Sequence, residues 1–294
     1  MSLTSIVTQM LMGLTVGANL ILLATGLTLV FGLMEIINFA HSALFMLGAY
    51  VGYTTYRLSG SFWLALLMAP IAMALLGGVL ERFLLRPLRE KYPTSHLLPL
   101  LLTFGLTLFF EGVAKMIWSA DIVSLPKPAV LGGVITPAGV TLPIYWIFAL
   151  VTAGVLVCGL WLLVERTALG LKIRAATQDP TMAAILGVDV KRLNTAVFAL
   201  GSALAGVAGV VLGALTSLYP QMGLTFVIDA FIVIVIGGLG SFKGAILGSL
   251  LLGQVQSFGV ALLPEFTNPL VFLVMAVILI FRPSGIFGAV QRRS

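Results

Sequence analysis

No charged residue occurs before Glu35, and the stretch from Ile6 to Leu33 is apolar with only uncharged polar interruptions. A helix needs about 20 such residues to cross a hydrocarbon core about 30 Å thick. That one stretch can span a membrane, and the pattern recurs at Phe39–Tyr56, Phe62–Leu80, Leu97–Trp118, Pro143–Val164 and Leu193–Leu215. Ala245–Leu263 is an adequate further span, whereas Val227–Ile236 and Pro269–Phe281 are short for full crossings. Short apolar segments belong to half-helices, tilted ends or re-entrant pieces. Composition points the same way: 9% of residues are charged, against about 25% in a soluble domain, and the mean hydropathy is +1.15. The expected fold is an all-α polytopic membrane protein. One transmembrane domain over residues 1–294 would hold about eight or nine spans, broken or re-entrant helices among them.

The formal charge of +6 does not point to nucleic acid, because the basic residues form short clusters between apolar runs instead of one aromatic-interleaved patch. Arg82, Arg86, Arg89 and Lys91 form the first cluster, and Arg166, Lys172, Arg174, Lys191 and Arg192 the second. Arg282, Arg292 and Arg293 form the third. Such clusters mark the cytoplasmic side. The loop Ser119–Leu142 carries only Lys127 and Asp121 and belongs on the other side. With the third cluster inside as well, nine crossings fit best, the N-terminus lies outside and the C-terminus in the cytoplasm. Met1–Ser5 lacks the positive n-region of a cleavable signal peptide. The single cysteine, Cys158, lies in an apolar run, so no disulfide framework is expected.

Catalytic signatures are missing from the sequence. Gly237-Gly238-Leu239-Gly240-Ser241-Phe242-Lys243-Gly244 is glycine-rich but lacks the spacing of a phosphate loop and its hydroxyl residue after the lysine. His41 and His96 stand far apart, which leaves no usual zinc set. No cofactor is expected in this chain, and the energy for any transport would come from a partner or a gradient.

Polar groups at membrane depth are costly and therefore candidates for function. Glu35, Asn38 and His41 interrupt two apolar stretches with no Lys or Arg nearby. They read either as a solvated turn or as a broken helix lining a substrate path. Asp229 reads as an interface cap opening the short Val227–Ile236 segment, or as a pore-facing group. Glu111 and Lys115 stand four residues apart in the order that favours a helical ion pair. Gly201, Ala205 and Gly209 repeat at four-residue spacing and suit close helix packing.

The loop 165–192 contains a short helix bounded by chemistry. Asp179 is a good N-cap, Pro180 suits the first helical position and Gly187 the C-terminal stop. Met182, Ile185 and Leu186 share a face. That face suits docking into a groove on another protein, or else lying on lipid.

Ala183-Ala184 followed by Gly187 is similar to the cytoplasmic coupling loop of ATP-driven (ABC) importer permeases. The chain as a whole resembles the branched-chain amino acid permease family of the LivH type. The strings that carry the resemblance include Asn38-Phe39-Ala40-His41, Met46-Leu47-Gly48-Ala49-Tyr50, Glu81-Arg82-Phe83-Leu84-Leu85-Arg86-Pro87-Leu88-Arg89, Pro220-Gln221-Met222-Gly223 and the glycine-rich string above. Many importers carry Glu where Met182 stands, which leaves the docking contacts open at residue level. The resemblance implies a bacterial inner-membrane permease working with a second related permease, two ATP-binding subunits that hold ATP and Mg, and an extracytoplasmic binding protein. Leucine, isoleucine and valine are the implied cargo; urea or short amides, and a gradient-driven carrier or channel, are the alternatives.

Overall fold

The structure is a computed structural model that describes residues 3–136 and 141–288. Residues 137–140 of the Ser119–Leu142 loop, and Arg292 and Arg293 of the third basic cluster, lie outside the described residues. Among the described residues the elements are helical apart from one small antiparallel pair, Val134–Ile135 with Leu142–Pro143, and an isolated bridge between Val123 and Leu218.

Among the described residues the longer helices are α1 (Leu3–Met34), α2 (Ala40–Ser59), α3 (Phe62–Leu80), α5 (Leu97–Trp118), α6 (Ile144–Arg166), α9 (Val190–Gly213), α10 (Met222–Gly237), α11 (Phe242–Leu262) and α12 (Thr267–Phe281). Seven helical segments are long and apolar enough to cross a membrane. The two others are α2, whose sequence is less apolar, and α10, which has only 16 residues. Both are interior elements. Phe39 and Phe231 meet at 4.9 Å between ring centroids, and Phe45 and Phe226 at 5.1 Å.

At the centre stands α9, held by residues too small to keep backbones apart. Gly201 faces Gly26 of α1, and Gly206 faces both Gly48 of α2 and Ala69 of α3. A Cβ on Gly206 would lie 2.9 Å from the Ala69 carbonyl oxygen. Lipid offers no hydrophobic drive between helices, so such close backbone contact is what holds them together. The spacing Gly201, Ala205, Gly209 is thus a packing feature, with Gly206 added on a second face.

The first basic cluster is not a loop. α3 continues through a π turn (Glu81–Leu85) into α4 (Arg86–Lys91), so that an apolar helix acquires a charged, mainly basic end. The wide turn brings Glu81, fully buried, under Arg86, whose Nη2 donates to Glu81 Oε2 at 2.9 Å and to the Lys191 carbonyl at 3.0 Å. Thr195 donates to the same carboxylate at 2.6 Å. The two basic clusters therefore share one end of the molecule, joined again by Lys191 to Glu90 at 2.7 Å. Removing one partner of a buried pair leaves an uncompensated charge. Arg86→Met is expected to lower stability in detergent by about 3 kcal/mol, and Arg86→Met with Glu81→Met to recover most of it; thermal unfolding of both variants measures this.

Candidate functional site

α1 ends at Met34, and the chain turns on Glu35, whose φ of 52° is unusual for a residue with a side chain. Residues 35–38 are not helical, and α2 starts at Ala40. His41 then lies beside Leu23 of α1, well back from the end of that helix, with Nε2 at 3.1 Å from the Leu23 carbonyl oxygen. The link therefore climbs back into the bundle. Thr103 of α5 fixes it by donating to the Ile37 carbonyl at 3.3 Å and accepting from the Phe39 amide at 3.2 Å. The segment is a non-helical break whose Asn38 and His41 lie inside the bundle, while Glu35 is exposed.

Asn38 and His41 are each 1% exposed. Neither amide atom of Asn38 has a hydrogen-bond partner, and His41 Nδ1 also has none. A buried polar group without a partner costs about 1–3 kcal/mol, so two on one link form a polar weak point beside α10. Glu35 is exposed and lines two cavities at the basic end, of about 440 and 890 Å³. Neither cavity is lined by Asn38, His41 or Asp229.

Asp229 does not open its helix, because α10 begins at Met222. The Gly223 and Thr225 positions depress hydropathy without stopping the helix. Asp229 lies mid-helix, half-buried, with Gln256 of α11 as hydrogen-bond partner. Glu111 and Lys115 form their ion pair at 2.7 Å.

The loop 165–192 holds two helices, α7 (Ala168–Gln178) and α8 (Pro180–Ile185). Thr167 caps α7 by accepting from the Gly170 amide at 3.1 Å. The sequence signal for α7 was available in Leu169, Ile173 and Ala176 at helical spacing. Asp179 caps α8 by accepting from the Met182 amide at 2.8 Å, and Gly187 leaves it at φ 89°. The paired alanines part company: Ala183 is buried against Ile173, Ala176, Leu193 and Val197, while Ala184 is exposed. That anchor turns Met182, Ile185 and Leu186 outward, with Ile185 73% and Leu186 75% exposed. Thr177, at the end of α7, lines the larger cavity. Among the described residues no cluster of His, Cys, Asp and Glu could hold a metal ion.

A multi-helix bundle with a polar break at its centre, and an apolar helix presented at its basic end, is the architecture of a multi-pass membrane permease. Residues 9–281 match the family described as branched-chain amino acid transport system, permease component, and the chain belongs to it. It is 32% identical to BraD of Pseudomonas aeruginosa, a high-affinity branched-chain amino acid transport system permease protein, over 95% of each chain. It is 29% identical to LivH of Escherichia coli K12, of the same description, over 95% of this chain and 94% of that one. FrcC of Rhizobium meliloti, a fructose import permease protein, is 31% identical over 44% of this chain. No solved structure matches the chain.

Proposed function

We propose that this chain is the membrane-spanning subunit of an ATP-driven importer carrying branched-chain amino acids across a bacterial cytoplasmic membrane. The observation that carries the proposal is the outward apolar face of α8, capped by Asp179 and anchored through Ala183 to α9. Cargo class comes from the relatives named for it. Two ATP-binding subunits hold ATP and Mg and receive α8, a second related permease completes the path, and an extracytoplasmic binding protein delivers the substrate. The basic end faces the cytoplasm, since Lys and Arg are retained there. α1 then enters from outside, and α12 ends inside.

In this reading, closure of the ATP-binding subunits pushes α8, and α9 carries the displacement to α1, α2 and α3 through the glycine contacts. The unpartnered groups of Asn38 and His41 are filled when the path opens around the 35–41 break, with Glu35 at its inner mouth and Asp229 lining it from α10. Uptake of labelled leucine by vesicles holding the chain with its native partners is the test. Isoleucine and valine are expected to compete, and urea and short amides are not. Undiminished uptake after ATP hydrolysis is abolished in the partner subunits would overturn the importer reading.

A further inference from the structure

The 440 Å³ cavity at the basic end is lined by charges that are mostly spoken for. Arg86 holds Glu81, and Lys191 holds Glu90. Arg89 and Glu35 remain, and neither side chain forms a hydrogen bond or ion pair among the described residues, although Glu81 lies near enough to act on Arg89 electrostatically. One uncommitted cation and one uncommitted anion thus face a single cavity.

Two further atoms repeat the same division, one an acceptor and one a donor. Asn194 is 9% exposed, and its Oδ1 has no partner. Arg86 Nε is buried and also unpartnered. A buried acceptor and a buried donor left unfilled each call for a ligand atom of opposite character. The rest of the wall includes Met34, Ile36 and Val190, which are apolar.

We infer that this cavity binds a free aliphatic α-amino acid as its zwitterion, on the side of the bundle where the basic clusters lie. Arg89 and Arg86 Nε take the carboxylate, Glu35 and Asn194 Oδ1 take the ammonium, and the aliphatic side chain lies against Met34, Ile36 and Val190. A lone anion such as phosphate, or an anionic lipid headgroup, would meet the uncommitted Glu35 carboxylate. A lone amine would meet Arg89. A ligand carrying both charges satisfies both. The cavity is then an exit station, where cargo rests after passing the central break. This rests on the proposed transport of amino acids for the choice of side chain only.

The test uses the full-length chain purified from the membrane with the subunits that accompany it, carrying Ser95→Cys in a Cys158→Ser background. Ser95 lines the cavity. Leucine is expected to slow alkylation of the new thiol about tenfold, while leucinamide and 4-methylpentanoate, each lacking one charge, leave it unchanged. Arg89→Gln and Glu35→Gln are each expected to abolish the protection, and both side chains are accessible enough that the fold should survive. Protection by phosphate or by vesicles of anionic phospholipid, without protection by leucine, would overturn the inference. Absence of protection by any amino acid in a preparation that still takes up leucine would overturn the cavity assignment and leave the importer reading standing. Protection by a polar amino acid but not by leucine would keep the cavity and overturn the branched-chain cargo.

Discussion

Ile185→Asp is expected to cut ATP-coupled uptake at least about tenfold while leaving the chain folded. Ile185 is 73% exposed on a helix whose own stability comes from the Asp179 cap and from Ala183 on the opposite face. The substitution touches neither support. A carboxylate placed in the centre of a docking face must be dehydrated without a partner, which costs about 2–5 kcal/mol of binding. Leu186→Asp should act in the same way. Uptake and ATP hydrolysis measured together in reconstituted vesicles separate uncoupling from collapse, with thermal unfolding as the control. Full uptake by both variants would show that α8 does not dock. Ala183→Leu makes the useful contrast, because its added volume has to fit between α7 and α9 and should damage stability first.

Gly209→Val should have the largest effect on the bundle itself. A Cβ at Gly209 would collide with the Phe45 carbonyl oxygen and the Ala49 amide of α2. Both atoms are backbone, so no rotamer change relieves the clash, and α2 must move away from α9. Overpacking of a core typically costs about 1–3 kcal/mol, and a backbone obstacle puts this case at or above the upper figure. Gly105 on α5 has nothing within 4 Å of the same construction. Gly105→Ala should therefore be neutral or slightly stabilising, since glycine is a poor helix former. Unfolding temperatures of the two variants in one detergent decide the matter, and equal values would discount the glycine contacts.

The spans were legible where an apolar run coincided with a helix. Leu97–Trp118 is helical over the residues its hydropathy marks, and α3 begins and ends its apolar part at Phe62 and Leu80. Beyond Leu80 the reading failed for a physical reason. Arg82, Arg86, Arg89 and Lys91 lower the hydropathy that marks a span, but they are good helix formers, so α3 runs on through the π turn into α4. α7 was hidden in the same way by Lys172 and Arg174. Glu81 was not legible as a buried group, being one of two acids, with Glu90, among four basic residues, yet it is the one held inside by Arg86 and by Thr195 of α9. Asn38 and His41 were legible as polar residues between apolar runs, while the re-entry of their link depended on Thr103, distant in sequence. Asn194 could have been found by the same rule, as an uncharged polar residue one turn into an apolar helix.

The burial of α2 against α9 also sets a problem of biogenesis. α2 is not apolar enough to count among the seven spans, and much of the surface that covers it belongs to a helix made far later. About 150 residues separate Ser59 from Gly213, which at roughly 5–20 residues per second means about eight to thirty seconds of synthesis. Through that interval α2 lacks the helix that covers much of its surface. Either the insertion machinery shelters α2 or the segment enters late, drawn in as α9 arrives. The backbone contacts that hold α2 against α9 in the finished bundle thus also make its membrane insertion depend on the order of synthesis.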